Sequence, residues 1–229
     1  PTHTLEAPPP HHMATSTLGC WCRLPGGMDS PERLMAATDA GCDAVGEVSR
    51  WADDGMYARA RYGAFLKGIS LFDASRFRIS TPEAQAMDPQ QRQLLECSYA
   101  ALHQSGALRL DNVSNGVGIW ATEYQQVLAN GPRSVYECTG GSLSIASGRV
   151  SYALGLQGPC ITVDTACSSS LVAWASVLRH TCCGAHIISG VNLMLLPHVA
   201  RVMAVAEMTS PRGKCHTFDA RADGFARGE

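Results

Sequence analysis

The stretch Gly158-Pro-Cys-Ile-Thr-Val-Asp-Thr-Ala-Cys-Ser-Ser-Ser-Leu-Val-Ala173 decides the fold of this 229-residue chain. Its first part, Cys160 to Val163, is rich in β-branched residues and predicts a short strand. From Ser168 onward the sequence predicts a helix, so Cys167 lies where a strand gives way to a helix. The apolar residues of this helix are Leu171, Val172, Trp174, Val177 and Leu178.

Cys167 has the setting of an activated nucleophile. A thiol on such a tight turn is exposed, and the N–H groups and dipole of the first helical turn favour its thiolate. The same N–H groups, that of Cys167 among them, are suited to donate hydrogen bonds to the oxyanion of an attacked thioester or ester. The spacing also fits a cysteine that is a small buried apolar residue, so both interpretations stay open at this point.

The composition is typical of a single soluble α/β domain, with 45% hydrophobic and 17% charged residues. A formal net charge of -2 gives no basic field for nucleic acid. No apolar run approaches the roughly 20 residues that a membrane span requires. Residues 1–16 have no apolar core of a secretory signal, and we expect them to be a disordered lead-in or linker.

Ten cysteines are scattered through the chain, which favours free thiols in a reducing, cytoplasmic setting. Cys20-x-Cys22 and the pair Cys182-Cys183 lack the spacing of a structural zinc site, so we expect no metal. The segment from Thr139 to Gly155 is rich in small residues, which allows close backbone approach. It lacks the glycine spacings of nucleotide-binding loops, so we expect no bound cofactor.

Several further elements can be predicted along the chain. Ser16 to Pro25 should hold a first strand and turn, and a helix should run from Pro31, with Ser30 as N-cap, to about Gly41. Residues 52–62 are polar and predict a loop. Tyr62 to Asp73 has a strand-like pattern between glycines.

The clearest helix runs from Pro89 to about Ser105, with Asp88 as N-cap and Gly106 as C-cap. Gln91 at the third helical position suggests a near capping box. An apolar strand begins at Gly116, and a buried strand runs from Ala185 to Ser189, in which His186 is expected to be a hydrogen-bonded core residue.

The string from Asp164 to Ala173 resembles the active-site signature of β-ketoacyl synthases, in particular ketosynthase domains of modular polyketide synthases and animal-type fatty-acid synthases. The turn Arg23-Leu-Pro-Gly-Gly27 and the run Met87-Asp-Pro-Gln-Gln-Arg92 are further landmarks of that family. The resemblance covers residues 18–229, with the motifs in the correct order.

This resemblance implies the N-terminal half of a thiolase-like fold, in which two related α/β halves pack as α-β-α-β-α and usually form a homodimer. It implies that Cys167 accepts an acyl group from the phosphopantetheine thioester of an acyl carrier protein. Decarboxylation of a malonyl-type extender and a Claisen condensation would follow. The domain expected is therefore 17–229, truncated before the second half.

In the family, the second half supplies a lysine and two histidines, in His-Gly-Thr-Gly-Thr and Asn-Ile-Gly-His motifs. None of the eight histidines of this chain stands in either motif, so only Cys167 carries over as catalytic. We therefore expect the 229-residue chain alone to be a fragment without condensing activity. Half a thiolase fold would also leave uncovered the face that meets its partner half.

One departure from the family pattern and one agreement with it concern the surroundings of Cys167. The distance from Cys167 to Asn192 is 25 residues, about three fewer than in the family pattern, which questions the packing beneath the thiol. Six residues near the end of the chain match family positions, and we interpret them as shaping the loop over the site. They are Phe218, Asp219, Asp223, Gly224, Arg227 and Gly228.

Three other functions remain open. One is another thiolase-fold acyltransferase, such as a decarboxylating loading domain. Another is a non-catalytic, dimerising scaffold inside a megasynthase. A third is a cysteine hydrolase, for which no histidine and aspartate partners stand in a recognisable context.

Overall fold

The computed structural model of the chain describes residues 17–51, 58–106, 112–120, 123–179 and 183–229. The lead-in expected at residues 1–16 lies outside this description. The helices of the described ranges are α1 (Pro31–Asp39), α2 (Thr81–Ala86), α3 (Pro89–Ser105), α4 (Glu123–Ala129), α5 (Glu137–Gly140), α6 (Ile145–Leu154), α7 (Ser169–Val177) and α8 (Pro197–Val205). The strands are β1 (Gly46–Glu47), β2 (Tyr62–Gly63), β3 (Val113–Ile119), β4 (Cys160–Val163) and β5 (Ala185–Val191).

The centre of the fold is a parallel sheet in the order β4-β3-β5. All seven residues of β3 are buried, as expected for a strand covered on both faces. The predicted strands at residues 160–163 and 185–189 are confirmed, but the prediction that the second is buried is wrong, because all residues of β5 are partly buried or exposed. The strand predicted from Gly116 is also present, but it begins earlier, at Val113.

Helix α3 confirms most of the prediction for its sequence. The Asp88 side chain accepts a hydrogen bond from the Gln90 N–H at 2.8 Å, and Gly106 ends the helix with a positive φ of 65°. Gln91 does not complete a capping box. The Asp88 N–H is bonded to the Gly140 carbonyl instead, and the Gln91 amide donates to carbonyls of residues 139, 140 and 142.

The N-terminal helix is also confirmed, with a small difference at its end. Ser30 caps α1 by accepting the Arg33 N–H at 3.3 Å, and the helix ends at Asp39, before the predicted Gly41. Close backbone approach is confirmed at Gly140, where a Cβ atom would overlap the carbonyl oxygen of Ala86.

The prediction of a first strand within Ser16 to Pro25 is wrong for the described residues from 17 onward. They form no strand, and the only ladder contact there is an isolated bridge between Leu24 and Met28. The segment packs along α3 instead. Gly19 lies against the Ala101 carbonyl, and the Cys20 N–H donates to the Gln104 side chain at 3.0 Å.

Of the segment from Tyr62 to Asp73, which has a strand-like pattern, only the first two residues form a strand. Strand β2 ends at Gly63, and Ala64 then forms a parallel bridge with Gly228. Residues 52–57 of the predicted loop lie outside the described ranges, and residues 58–60 form a 3₁₀ turn.

Glu229 connects three distant segments through a side chain that is fully buried. Its carboxylate is ion-paired with Arg50 and accepts the backbone N–H groups of Leu66, at 2.7 Å, and Met194, at 2.6 Å. The charge is therefore paired and fully hydrogen-bonded, which is the condition under which a carboxylate is tolerated in a protein interior. Through Met194, Glu229 holds the loop that follows β5.

Asp88 makes the stability of the chain depend on pH. Burial raises its pKa from 3.8 to about 6, against the opposing effect of its hydrogen bonds to Gln90. The native state therefore retains a proton that the unfolded chain has lost, and stability falls as pH rises from about 4 to above 6. A shift of this size corresponds to about 3 kcal/mol.

We expect Asp88→Asn to abolish this dependence, because asparagine also caps a helix but does not titrate. Urea unfolding of both proteins between pH 4 and pH 8 would measure it. As pH rises, the free energy of unfolding of the variant should increase relative to that of the native chain. A difference that stays constant over this range would contradict the assignment.

The cysteines and helices of the described ranges agree with the bulk properties of the sequence. Nine cysteines lie in these ranges and none of them forms a disulfide, as predicted, while Cys182 lies outside them. No helix within the same ranges has both the length and the apolarity that a membrane crossing requires.

Candidate active site

The structure places Cys167 at the predicted junction. Strand β4 ends at Val163, a 3₁₀ turn spans Ala166 to Ser168, and α7 begins at Ser169. Cys167 is exposed on this turn. This excludes the interpretation of Cys167 as a buried apolar residue in the described structure.

The turn depends on a strained residue immediately before the cysteine. Ala166 has a φ of 56°, in the left-handed region that costs a residue with a Cβ roughly 1–2 kcal/mol. Hydrogen bonds of neighbouring side chains hold this geometry. The Asp164 carboxylate accepts the Ala166 N–H at 3.0 Å, and the Ser169 hydroxyl donates to the Ala166 carbonyl at 2.6 Å.

The site lies at the carboxyl edge of the parallel sheet. Cys167 follows β4, and Trp120 and Asn192 follow the carboxyl ends of β3 and β5. In open α/β sheets, ligands bind in the crevice outside this edge. The thiol therefore stands at the edge of the sheet where folds of this kind bind their ligands.

Helix α7 contacts the sheet through one narrow stripe of residues. Ser169, Ala173 and Val177 are buried, and two glycines of the sheet allow the approach. A Cβ at Gly118 would lie 2.5 Å from the Ser169 carbonyl carbon and closer still to the Ser170 N–H group, while one at Gly190 would lie 2.9 Å from the Ser170 Cβ. The shortened connection after Cys167 has therefore not loosened the packing beneath it.

The opposite face of α7 is apolar and exposed. Leu171 is 64% exposed, Trp174 46% and Val172 36%. These side chains flank the cysteine, and nothing in the described part of the chain covers them. This agrees with the expectation that half a thiolase fold leaves an apolar face uncovered.

The Cys167 N–H is available to a ligand by its position in the turn. It is the second residue of the 3₁₀ turn, and the first N–H groups of a helical segment have no intrahelical acceptor. A developing oxyanion on a carbonyl attacked by Cys167 would lie close to this donor.

No imidazole of the described residues hydrogen-bonds the Cys167 thiol. His186 instead bonds the buried Ser114 hydroxyl through Nδ1 at 2.6 Å, across paired positions of β3 and β5. The prediction of a hydrogen-bonded histidine in this strand is confirmed. The described ranges also hold no group of three or more His, Cys, Asp or Glu side chains that could bind a metal ion.

Of the six residues near the end of the chain, Gly228 lies nearest to the site edge, where its carbonyl accepts a hydrogen bond from the Asn192 side chain at 3.3 Å. Asp223 accepts hydrogen bonds from Ser210 and Arg212, and Gly224 packs on the backbone of residues 208–210. Arg221 lowers the pKa of Asp219 to about 2, and Phe218 is fully exposed. The assignment of this loop to a position over the site stays a prediction.

Sequence reasoning identified Cys167 but missed its supports. Ser169 belongs to a run of serines in which no pattern singles out one hydroxyl. Gly118 was predicted to lie in a strand, but its contact with α7 depends on how the helix packs across the sheet. The two glycines of the alternating run Gly116-Val-Gly118 were the one available signal of a close approach.

The parallel sheet, its crossover helices and the cysteine turn define an α/β protein with a thiolase-like fold. Residues 16–229 match the model of the "Beta-ketoacyl synthase, N-terminal domain" family. The chain belongs to the β-ketoacyl synthase family.

Two curated relatives are large mycobacterial enzymes. The chain is 39% identical, over 93% of its length, to a component of the phenolphthiocerol/phthiocerol polyketide synthase of Mycobacterium tuberculosis, of which it covers 15%. It is 40% identical, over 96% of its length, to a phthioceranic/hydroxyphthioceranic acid synthase of Mycobacterium bovis, of which it covers 11%. The chain thus spans a small part of these relatives.

Solved structures of ketosynthases share its fold. The ketosynthase from module 6 of the Bacillus subtilis bacillaene synthase matches 93% of the chain with a TM-score of 0.85 and 31% identity. An oxazolomycin ketosynthase domain of Streptomyces albus matches 93% with a TM-score of 0.81 and 28% identity. The chain covers 38% and 40% of these two structures.

Proposed function

We propose that this chain is the nucleophile-bearing part of a polyketide synthase ketosynthase, and that Cys167 accepts the acyl group from a carrier-protein thioester. The observation that carries the proposal is the exposed cysteine on a strand-turn-helix junction at the carboxyl edge of the sheet, within a chain similar to ketosynthases over 93% of its length. The acyl carrier protein is the partner, and its phosphopantetheine thioester is the substrate.

Acyl capture needs few groups from the chain. The Cys167 thiolate attacks the thioester carbonyl, its sulfur–carbon bond forms, and the bond to the pantetheine sulfur breaks, so that the carrier thiol leaves and takes up a proton. The Cys167 N–H donates to the oxyanion of the tetrahedral intermediate. The apolar side chains of α7 beside the thiol suit an alkyl chain better than a charged substrate.

Condensation requires further groups. A malonyl-type extender loses carbon dioxide, and the enolate attacks the acyl carbon to give a β-ketoacyl product and free the Cys167 thiolate. The enolate needs hydrogen-bond donors, which the family resemblance assigns to two histidines outside this chain. We therefore assign acyl capture to the 229-residue chain and expect no condensation from it alone.

Incubation with an acyl-carrier thioester, followed by peptide mass spectrometry, tests the proposal. We expect the acyl mass on the peptide that contains Cys167. A non-catalytic scaffold would gain no acyl mass there. A cysteine hydrolase would release free acid at a steady rate without accumulating the acyl-enzyme.

We also propose that two copies of the chain associate through β4. In the sheet formed by the described residues it is an edge strand with no strand paired on its outer side, and such an edge readily pairs with another strand. Sedimentation should show a dimer, and Cys160→Lys, at an exposed position of β4, should shift it to monomer. Cys138→Lys, on exposed α5, adds the same charge elsewhere and should leave the dimer intact. A monomeric native chain would contradict the proposal.

A further inference from the structure

We propose that Ser169 is a positioning residue for the nucleophile, whose hydroxyl holds Ala166 in the left-handed conformation that presents the Cys167 thiol. The inference rests on the proposed function in one respect: it takes Cys167 as the nucleophile. Ser169 itself touches no reacting atom.

The Ser169 hydroxyl bridges the two residues that precede the cysteine. Its oxygen accepts the Thr165 N–H at 2.9 Å, and its proton is donated to the Ala166 carbonyl at 2.6 Å. The Ser169 hydroxyl thus bonds the N–H at the start of Thr165 and the carbonyl at the end of Ala166. The two bonds hold both ends of this two-residue segment, so a change of the Ala166 φ would displace one of the two bonded atoms.

Ser169 is set apart from the other side chains on the turn by its burial. Its residue is 5% exposed, so water does not readily replace its two hydrogen bonds. Ser168 donates to the Thr165 carbonyl and hydroxyl, both at 2.8 Å, and Asp164 accepts the Ala166 N–H at 3.0 Å. Both of these residues are exposed, and water competes for their bonds.

The hydroxyl is held in place by the sheet. The Ser169 backbone rests on Gly118, where even one added carbon would lie 2.5 Å from the Ser169 carbonyl carbon. The start of α7 therefore cannot move toward β3. Position 169 is anchored on one side by the sheet and bonded on the other to the strained turn.

The test compares Ser169→Ala with Ser168→Ala as the matched control. Iodoacetamide labelling is followed at Cys167 and at Cys138, an exposed cysteine of α5, in the same sample by peptide mass spectrometry. We expect Ser169→Ala to lower the ratio of the Cys167 rate to the Cys138 rate about tenfold, the rate equivalent of releasing one left-handed residue. Ser168→Ala should change the ratio less than about twofold. General loosening of the fold would raise both rates and leave no such selective loss.

Glycine at position 166 gives the decisive comparison. Glycine adopts a positive φ without strain, so Ala166→Gly should make the hydroxyl dispensable. Adding Ser169→Ala to Ala166→Gly should then change the labelling ratio less than about twofold, a strongly non-additive result. Ser169→Thr, which keeps the hydroxyl, should retain the native ratio. This variant and the glycine pair decide the matter if Ser169→Ala alone fails to fold.

Two outcomes would overturn the inference. One is an unchanged labelling ratio in a folded Ser169→Ala protein, and the other is an equal loss with alanine and with glycine at position 166. Because iodoacetamide needs no carrier protein, these outcomes are independent of acyl transfer. A chain whose Cys167 is labelled as expected but gains no acyl group would refute the proposed function and leave the role of Ser169 standing.

Discussion

Replacing Cys167 with serine or alanine is expected to abolish transfer of the acyl group from a carrier thioester. In the proposed function the thiol is the side chain of the turn that forms a bond to the substrate, so its loss should lower the rate by about 10³-fold or more. Stability should hardly change, because Cys167 is exposed. Acyl mass on intact protein, read against time, measures the effect, and thermal unfolding checks the fold.

Cys160 provides the matched control. It is also an exposed cysteine, at the start of the strand that leads to the turn, but it lies on no helix N-terminus. Cys160→Ala should keep acyl transfer at its native rate. If Cys167→Ala gained acyl mass as fast as the native chain, the nucleophile would be another thiol and the proposed function would be lost.

Adding one methyl group to the sheet beneath the turn should have the second largest effect. A Cβ at Gly118 would overlap backbone atoms of Ser169 and Ser170, and backbone of this kind cannot rotate aside as a side chain can. We expect Gly118→Ala to push the start of α7 off the sheet, costing about 1–3 kcal/mol of stability. Labelling of Cys167 by iodoacetamide should change in the same variant, because the displaced residues follow the cysteine directly.

Gly148 allows the same substitution without the contact. It lies within α6, and a Cβ there would meet nothing within 4 Å. Gly148→Ala should stabilise the chain by about 0.5–1 kcal/mol, since alanine favours a helix more than glycine. Thermal unfolding of the two variants should therefore move in opposite directions. Equal stability of Gly118→Ala and the native chain would show that α7 is not held against the sheet at this point.

The elements that sequence reasoning predicted well have strong local signals. Helix α3 has an aspartate cap, a proline in its first turn and a glycine at its end, and each acts within a few residues of the chain. Strand β4 matches its prediction at both ends because a β-branched run stands between turn residues. The prediction of a first strand was wrong because a strand forms only when a neighbouring strand pairs with it. Residues 17–22 instead pack against the end of α3, which they contact through Gly19 and the Cys20 N–H.

The sequence by itself determined the family, the strand-turn-helix junction and the position in it of Cys167, the proposed nucleophile, because these depend on short motifs and on propensities that act between near neighbours. Only the tertiary structure decided how that nucleophile is supported. The left-handed Ala166, the buried Ser169 hydroxyl and the contact of Gly118 with α7 arise when a helix is pressed onto a sheet. Gly118 and α7 are far apart in the chain, and a contact made by a single residue leaves no periodic pattern. The Ser169 bonds join residues only three and four positions apart, but they depend on a turn geometry that no local propensity predicts.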